Sequence, residues 1–394
     1  MSWTRDEARK KVGHRFVCVS RAYKLPFVDE LTSESKSDSA QCVGPSAVRK
    51  EVSLFGLSER ELAARGVGAS VFARIQRPWL WSEGGPRWSA RYDERLRGLR
   101  ALVPDLEETH SSTDGATKVV VRLGDDRVEA VHMPRDVGSG RVTLCVSSQV
   151  GCAMGCTFCA TARMGFGRHL SAGEIVAQVL AVIATLGPRH PGQLTLVFMG
   201  MGEPLHNLPE VARAITVLCE PRGLGLSPRR ITVSTSGLVP EIDALAKLET
   251  RPLLAVSLNA TTDETRNQLM PIGRRYPLSE LRAALTRYPL RARERITLEY
   301  VLLAGVNDTA DDAERLAAFG ALFSHQINLI PWNAHAGADF RAPTEAELDR
   351  FARALLARTR AVITVRRSRG SDVGAACGQL VRARTLKGSQ PSNK

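Results

Sequence analysis

Three cysteines stand close together in the stretch GCAMGCTFCATARMGF, which covers residues 151–166. Cys152, Cys156 and Cys159 have a C-x3-C-x2-C spacing. Three thiolates in one loop can bind three irons of a [4Fe-4S] cluster, whereas ligation of all four irons by protein needs a fourth cysteine. The spacing therefore predicts an iron–sulfur cluster with one iron open to a small chelating ligand.

A structural zinc site is the alternative interpretation of this stretch. Such sites commonly carry two C-x2-C pairs or a Cys/His set with four ligands. The next candidate ligands downstream are His169 and His190, and neither lies close to the three cysteines in the sequence. The spacing and its context therefore favour the cluster.

Two further cysteines lie outside this stretch. Cys145 belongs to an apolar run, and Cys377 lies among small residues in AACGQ. An isolated cysteine is most often a buried packing residue, and this interpretation remains open for Cys145. The small neighbours of Cys377 instead indicate an accessible thiol.

Polar or glycine residues follow several predicted strands, and together they could form a binding site. They are Gly202 and Glu203 in GMGEP, Ser234 in STSG, Ser257, Leu258 and Asn259 in SLN, and Asn333 in PWN. Taken singly, such residues are most often turn or capping groups. The carboxyl ends of parallel strands meet at one edge of a sheet, where ligands bind in α/β folds. The set therefore predicts one ligand cavity.

Alternating strands and helices must position these residues. The predicted strands cover residues 142–147, 194–199, 230–234, 253–258, 296–302, 326–330 and 362–367. Helices lie between most of them, and the first begins at Ser171 with Glu174 as its capping partner. This alternation is typical of parallel strands in βα units. Six or seven units are too few for a closed eight-stranded barrel, so we expect an α/β fold with a partial (β/α) barrel.

The chain before this barrel is predicted to be helical and then to form a hairpin. Ser58 and Glu61 have a capping-box spacing at the start of a first helix. A second helix is predicted over residues 71–81 and a third over residues 92–102. Alternating apolar residues on both sides of Gly124 predict a hairpin.

These patterns divide the chain into five parts. We predict a flexible N-terminal extension at residues 1–53, a small helical accessory domain that binds RNA at 54–113, a linking β-hairpin at 114–136, a core domain at 137–380, and a basic flexible tail at 381–394. The polar composition of residues 32–40 supports the flexibility of the extension.

The composition is that of a basic globular protein. The chain has 394 residues, of which 43% are apolar, and 54 Lys and Arg against 41 Asp and Glu give a net charge of +13. Such a charge favours a polyanionic partner, and nucleic acid is the leading one. No apolar run is long enough to span a bilayer, and the first residues lack the apolar segment of a secretory signal. We therefore expect a cytoplasmic protein without membrane association.

In combination, the motifs resemble the RlmN family of radical S-adenosylmethionine RNA methyltransferases over about residues 54 to 380. The matching motifs are TLCVSSQVGCAMGCTFCATARMGF, FMGMGEPLHN, TVSTSGLVP, AVSLNA, LMPI, LEYVLLAGVND, INLIPWN and RGSDVGAACGQL, with FARIQRPWLW and SSTDGATK before the barrel. The resemblance implies a [4Fe-4S] cluster on Cys152, Cys156 and Cys159. It also implies S-adenosylmethionine contacts from Gly202, Glu203, Ser234, Ser257, Leu258, Asn259 and Asn333.

The resemblance also implies a reaction. Members of the family methylate carbon 2 of an adenine in 23S ribosomal RNA near the peptidyl-transferase centre, and some methylate an adenine beside the tRNA anticodon. Two S-adenosylmethionine molecules are used per turnover: one methylates Cys377, and the other is cleaved to a 5'-deoxyadenosyl radical that activates this methyl group. Cys145 would then release the protein–RNA adduct and leave a disulfide with Cys377, while Glu129 would accept a proton. The implied partners are 23S rRNA, tRNA and an electron donor for the cluster and the disulfide, and we expect a monomer.

Two positions depart from the family pattern, and some basic residues are candidates for RNA binding. Gly374 stands where an aspartate is common, and Asn259 replaces a frequent histidine. The candidates for contacts with RNA phosphates are Arg229, Arg230, Arg366, Arg367 and Arg369.

Two alternative functions remain. A Cfr-like enzyme shares the cysteines and modifies carbon 8 of the same adenine. This chain has GMGEPL, STSG and IPWN, where Cfr-like enzymes tend to have GMGEAL, STIG and IRYN. A non-catalytic iron–sulfur RNA-binding factor in ribosome assembly would need neither Cys145 nor Cys377. The motifs favour the RlmN-like function.

Overall fold

The computed structural model describes residues 52–81, 85–87, 89–97, 99–100, 103–135, 140–187, 191–367 and 369–380. The predicted tail, His190 and almost all of the predicted N-terminal extension lie outside these residues. None of the helices in the described ranges has both the length and the hydrophobicity that a membrane crossing requires.

Two short helices follow the first described strand. β1 (Val52–Ser53) leads through a 3-10 turn at Leu54–Gly56 into α1 (Glu59–Ala63), and α2 (Ala69–Gln76) comes next. Ser58 and Glu61 form the predicted capping box of α1. The second helix ends earlier than predicted, because Pro78 has no N–H to continue it and begins the 3-10 turn Pro78–Leu80.

The predicted third helix at residues 92–102 is wrong. The chain forms a 3-10 turn at Ala90–Tyr92 and then β2 (Leu99–Arg100), which pairs in parallel with β1. Gly98 disfavours helix formation within this stretch. Pairing with β1 gives backbone N–H and C=O groups of β2 hydrogen-bond partners, which the end of a helix would leave unpaired.

The predicted hairpin is present, and it belongs to the main sheet. β3 (Leu106–Ser111) pairs with β4 (Thr117–Leu123), and β4 pairs with β5 (Asp126–Pro134) across the turn at Gly124 and Asp125. β5 then pairs with β6 (Val142–Val146). The predicted domain boundary between residues 113 and 114 therefore falls in a turn between two strands of one sheet.

Strands and helices alternate from β6 onward, as the sequence predicts. The further strands are β7 (Gln149–Gly151), β8 (Phe166–His169), β9 (Leu194–Phe198), β10 (Ile231–Thr235), β11 (Leu253–Ser257), β12 (Ile296–Leu302), β13 (His325–Pro331) and β14 (Val362–Val365). The helices are α3 (Ala160–Arg163), α4 (Ala172–Leu186), α5 (Leu208–Cys219), α6 (Val239–Ala246), α7 (Asp263–Leu269), α8 (Leu278–Arg287), α9 (Ala310–Gly320) and α10 (Glu345–Leu356). The capping box of Ser171 and Glu174 at the start of α4 is confirmed.

In the described ranges the main sheet has ten strands, in the order β14-β13-β12-β11-β10-β9-β6-β5-β4-β3. From β6 to β14 all neighbours are parallel, and β5, β4 and β3 continue the sheet with antiparallel pairing. Among the described residues β14 and β3 are the two edges, and the sheet that these residues form does not close on itself. The predicted α/β fold with a partial (β/α) barrel is confirmed.

The two faces of this sheet differ in polarity, because successive side chains of a strand point to opposite faces. Leu196, Val233 and Leu298 are fully buried and belong to the apolar face in the core. Residues paired in register share a face, which links Cys145 with Val197, Ser234 with Ala255, and Ser257 with Glu299 and Asn328. We call this second face, which carries the polar residues, the inner face.

Candidate active site

The three predicted cluster ligands lie in the loop between β7 and β8, here called the cysteine loop (residues 152–165). All three cysteines are buried, and Cys159 precedes α3 directly. The N–H of Cys152 donates a 2.6 Å hydrogen bond to the carbonyl of Gly165 and closes the base of the loop. Gly151 has φ +69°, and a Cβ there would collide with the Gly165 carbonyl. Only glycine fits at this closure.

Residues from later in the chain hold the cysteine loop from outside. Trp332 Nε1 donates a 3.0 Å hydrogen bond to the carbonyl of Phe158, and His335 Nε2 also lies 3.0 Å from that oxygen. The N–H of Thr157 donates to the carbonyl of Leu269 at 3.1 Å. These bonds satisfy backbone groups of a buried loop that has little secondary structure of its own.

Cys377 lies beside the cysteine loop. The N–H of Ala160 donates a 2.8 Å hydrogen bond to the carbonyl of Gly378, and the Thr161 hydroxyl donates to the carbonyl of Leu380. Asn333 Nδ2 donates to the carbonyl of Cys377 at 3.0 Å. The Cys377 side chain is half-buried. The fold thus brings the predicted methyl carrier next to a predicted cluster ligand.

The turn between β3 and β4 holds the other end of this segment (residues 369–380, the Cys377 segment). The Asp114 carboxylate accepts a 2.8 Å hydrogen bond from the N–H of Gly370. The Asp372 carboxylate accepts one from the N–H of Thr113 at 3.1 Å. Gly374, where the family commonly has an aspartate, has φ +62°, which glycine adopts without strain. The Cys377 segment is therefore anchored at both ends.

A cavity joins the predicted groups. Its lining includes Cys159, Cys377, Ser257, Asn259 and Asn333, all of which the sequence analysis had singled out. Apolar side chains and Trp332 complete the walls. A pocket that is mostly apolar with a few converging polar groups is the usual form of a small-molecule site.

Asn259 lies in this cavity in an unusual backbone conformation. Its φ is +55°, a left-handed value that asparagine tolerates better than most residues. Its Oδ1 accepts a 2.8 Å hydrogen bond from the N–H of Val301, and Asn307 Nδ2 donates to its carbonyl at 2.8 Å. The neighbouring Leu258 is fully buried, and its N–H donates to the carbonyl of Glu299 at 2.9 Å. These bonds fix the backbone at the end of β11.

Glu203 is fully buried. Its carboxylate accepts hydrogen bonds from the N–H of Leu205 at 2.7 Å and from the N–H and hydroxyl of Ser236, each at 3.0 Å. Burial raises the pKa of Glu203 to about 7, and these hydrogen bonds oppose the increase. The carboxylate thus ties the turn after β9 to the end of β10. Gly202, Glu203, Ser234 and Leu258 are not among the residues that line the cavity, and their contact with S-adenosylmethionine stays a prediction.

Cys145 and Glu129 lie on the inner face of the sheet. Val131 on β5 is paired with Cys145 on β6, and Glu129 is two residues from Val131 on the same strand, so both predicted residues share this face. Cys145 is buried, and the Glu129 carboxylate forms a 3.3 Å ion pair with Lys118. The Ser147 hydroxyl donates to the Glu129 carbonyl at 2.6 Å.

A buried ion pair on the inner face was missed by the sequence analysis. Arg366 lies 3.3 Å from Glu299, and their side chains are 8% and 0% exposed. The Ser234 hydroxyl donates to the second oxygen of Glu299 at 3.2 Å. The signal was present in the sequence, because Glu299 is the charged residue in the otherwise apolar or neutral strand ITLEYVL.

This geometry corrects one predicted phosphate contact. Arg366 cannot reach an RNA phosphate, because its guanidinium is buried against Glu299. Arg367 pairs with Glu345, and Arg369 donates to the carbonyl of Pro134. The remaining candidates, Arg229 and Arg230, lie in the 3-10 turn before β10, where Arg229 is exposed.

Comparisons with known proteins agree with this architecture. A family model described as the radical SAM superfamily matches residues 146–319. The dual-specificity RNA methyltransferase RlmN of Geotalea uraniireducens is 51% identical over 341 residues, which are 84% of this chain and 96% of that protein. The chain belongs to the RlmN family. The RlmN protein of Syntrophotalea carbinolica is 50% identical over 293 residues, 74% of this chain and 76% of that relative.

A solved structure shares both the fold and much of the sequence of this RlmN-family chain. The crystal structure of a radical SAM methyltransferase from Sphaerobacter thermophilus is 41% identical, with a TM-score of 0.74, and the match covers 84% of this chain and 99% of that one.

Membership of this superfamily implies a [4Fe-4S] cluster and S-adenosylmethionine as cofactors. The residues present fit both groups. Three buried cysteines in a closed loop would supply thiolates for three irons of the cluster, and the fourth iron would be left without a cysteine ligand. Polar side chains of Ser257 and Asn333 face a cavity that also reaches Cys159. The family and this donor set together favour the cluster over the zinc alternative.

Proposed function

We propose that this RlmN-family chain methylates carbon 2 of an adenine in 23S ribosomal RNA near the peptidyl-transferase centre, and also an adenine beside the tRNA anticodon. Its relatives are named dual-specificity RNA methyltransferases, which supports RNA as the substrate. The observation that carries the proposal is that Cys377 and Cys159 line one cavity. When bound, the cluster and S-adenosylmethionine supply a radical that can remove a hydrogen atom from a methylated thiol.

A thiol carrier explains why this chemistry needs Cys377. Carbon 2 of adenine is an amidine carbon and is not nucleophilic, so it cannot take a methyl group by ordinary polar transfer. The sulfur of Cys377 can be methylated, and the carbon of this methyl group can then bond to carbon 2 of the adenine. One S-adenosylmethionine is consumed as methyl donor and one as radical source, which makes two per turnover. The anchored Cys377 segment limits where this sulfur can move.

Release of the RNA requires a second thiol, and we assign this role to Cys145. The Cys145 thiolate attacks the sulfur of Cys377, a disulfide forms, and the carbon–sulfur bond breaks with its electron pair left on the methyl carbon, which takes up a proton. An external two-electron reductant then restores both thiols. Glu129 accepts the proton that leaves carbon 2, and Lys118 lies 3.3 Å from its carboxylate. The unpaired electron of the adduct would pass to the oxidised cluster, a one-electron acceptor, so that Cys145 attacks a closed-shell thioether.

The accessory part of the chain is proposed to contact RNA. Trp79 and Leu80 are 38% and 50% exposed in the FARIQRPWLW motif, and exposed aromatic rings can stack on unpaired bases. The net charge of +13 supports a polyanionic substrate. We further propose that the protein works as a cytoplasmic monomer with a low-potential electron donor.

Nucleoside mass spectrometry tests this proposal. The gene is expressed in a host that lacks its own enzyme, and 2-methyladenosine and 8-methyladenosine from purified 23S RNA and tRNA are separated by chromatography. A gain of 2-methyladenosine with the wild-type gene, and none with Cys377→Ala, is expected. A gain of 8-methyladenosine would instead indicate a Cfr-like enzyme.

A cluster-loaded protein that yields neither product and cleaves no S-adenosylmethionine under anaerobic reducing conditions would contradict the methyltransferase proposal. That result would favour the RNA-binding assembly factor. The cleavage assay separates the two because only the enzyme needs S-adenosylmethionine.

A further inference from the structure

Arg266 is a fully buried cation on α7. Its Nη2 donates a 2.6 Å hydrogen bond to the carbonyl of Ser236. Its Nε and Nη1 are also buried, and they have no hydrogen-bond partner in the described part of the chain. Burying a charge without a compensating partner strongly destabilises a fold. Packing alone therefore does not account for an arginine at this position.

The fold reserves space for this guanidinium. A Cβ on Gly237 would lie 3.1 Å from Nη2 of Arg266, and a Cβ on Gly273 would lie 3.3 Å from Nη1. Both values are closer than ordinary van der Waals contact. Gly237 thus leaves room for the guanidinium, while at Gly273 an added Cβ would first meet Asn267 Oδ1 at 2.5 Å.

A residue that contacts Arg266 and another on the same helix both contact the cysteine loop. Ser236, which accepts its hydrogen bond, also donates from its hydroxyl to Met154 Sδ at 3.5 Å, between two of the cysteines. Leu269, at the end of α7, accepts a hydrogen bond from the N–H of Thr157 at 3.1 Å. Both contacts join the surroundings of Arg266 to the residues that flank Cys156.

The charge of Arg266 persists at neutral pH. Burial lowers the pKa of Arg266 to about 10, while Cys156 and then Asp263 raise it. The Asp263 carboxylate is engaged elsewhere, because it accepts a 2.8 Å hydrogen bond from the N–H of Leu278. In the part of the chain that the structure describes, the guanidinium has one hydrogen bond, to the Ser236 carbonyl, so no bonded carboxylate compensates its charge.

We infer that Arg266 is an electrostatic partner of the iron–sulfur cluster. The fixed positive charge of Arg266 compensates the negative charge of the thiolate-ligated cluster and favours the reduced state of the cluster. The inference rests on the proposed cluster site at the three cysteines. One-electron reduction adds a negative charge to a buried site, where a nearby cation interacts more strongly than it would in water. Net charge and the polar groups around the sulfurs are among the features that set cluster potentials. Arg266 would thus help the cluster to accept its electron.

An EPR-monitored dithionite titration of the anaerobically reconstituted full chain tests this role. In Arg266→Gln the equilibrium constant for one-electron reduction should fall at least tenfold, which is 59 mV for a one-electron couple. Arg266→Lys keeps the charge and should stay close to wild type. The control is Arg274→Gln, which removes an exposed charge from the 3-10 turn Pro271–Arg274. Solvent screens that charge, so the potential should not change.

The outcomes separate this inference from the proposed function. A wild-type protein that takes up no cluster overturns the proposed function, and the inference falls with it. If the wild type binds the cluster, any of three results overturns the inference but not the proposed function. The reduction potential of Arg266→Gln equals that of wild type, the potential of Arg266→Lys shifts as far as that of Arg266→Gln, or both variants lose the cluster. A folded Arg266→Gln that loses the cluster while Arg266→Lys retains it supports the inference, because charge and not shape then decides cluster binding.

Discussion

The backbone N–H of Ala160 donates a 2.8 Å hydrogen bond to the carbonyl oxygen of Gly378. Ala160 follows Cys159, a proposed cluster ligand, and Gly378 follows Cys377, the proposed methyl carrier. This bond between two backbone groups therefore holds together two chemical centres that are far apart in the sequence. Neither residue has a side chain that sequence reasoning would have selected.

Substitution of Cys377 and substitution of Cys145 should each stop methylation, but at different steps of the reaction. Cys377→Ala should form no RNA adduct, because no sulfur carries the methyl group. Cys145→Ala should accumulate RNA bound covalently to protein, because nothing breaks the carbon–sulfur bond. A nuclease-sensitive band shift in denaturing gels measures the adduct. Equal adduct in both variants would contradict the assigned roles.

Cys219 provides the control for this experiment. It is the last residue of α5 and not part of the cysteine loop, and burial raises the pKa of its thiol to about 12. Its thiolate is scarcely populated at neutral pH, so Cys219→Ser should methylate RNA at the wild-type rate.

Gly151→Ala should prevent cluster binding. Its φ of +69° disfavours any side chain, and the added methyl group would meet the Gly165 carbonyl that closes the cysteine loop. We expect iron and sulfide content after reconstitution to fall at least tenfold. Gly165→Ala is the matched control, because Gly165 has φ +71° but open space around a Cβ. If both variants bind iron equally well, steric closure of the loop is not what the cluster requires.

Glu203 should make stability fall as pH rises. Burial raises its pKa in the folded protein to about 7 from an ordinary value of 4.5. Between these pH values the folded state holds a proton that the unfolded chain has released, so the free energy of unfolding decreases by up to about 3 kcal/mol from pH 4.5 to 7. Glu203→Gln should remove this slope.

Urea unfolding of the cluster-free protein at several pH values measures the difference in the free energy of unfolding between wild type and Glu203→Gln. The exposed Glu249 gives the comparison, and Glu249→Gln should follow the wild-type curve. A wild-type and Glu203→Gln difference that does not vary with pH would show that Glu203 does not titrate in this range.

The ion pair of Glu299 and Arg366 should be strongly coupled. Glu299→Gln leaves a buried guanidinium without its counter-charge and should cost about 3 kcal/mol of unfolding free energy. The double variant Glu299→Gln/Arg366→Met should be less destabilised than the sum of the single variants. Chemical denaturation of the four proteins measures this coupling. Additive effects would mean that the two charges do not compensate each other.

An exposed ion pair serves as the reference for this cycle. Asp349 and Arg353 on α10 are 68% and 78% exposed, although their atoms are only 2.7 Å apart. Asp349→Asn should change stability by no more than about 0.5 kcal/mol, because solvent already screens the pair.

The sequence predicted the order of strands and helices well because the signals are local. Each of these signals spans only a few neighbouring residues. Examples are the alternating apolar runs, the capping boxes at Ser58 and Ser171, and the turn at Gly124. The third helix failed for the opposite reason. Leu99 pairs with Val52 on β1, and no local pattern indicates that partner.

The candidate site could be predicted only in part. The spacing of three cysteines is a local signal, and the resemblance to a family supplied Cys145, Cys377 and Glu129. Contacts between distant segments left no such signal: Asp114 holds Gly370, and Arg366 is buried against Glu299. A basic residue such as Arg366 has the same appearance in a sequence whether it binds RNA or a buried carboxylate.

The bonds that cover the cysteine loop also have a consequence for biosynthesis. The hydrogen bond of Phe158 with Trp332 can form only after 174 further residues are synthesised, and that of Thr161 with Leu380 only after 219. At about 5–20 residues per second, the ribosome needs on the order of 10 to 40 s to add the second of these stretches. Throughout that interval the nascent chain holds its three cysteines without their final cover. Cluster assembly factors and oxidants therefore meet these thiols most readily before translation ends.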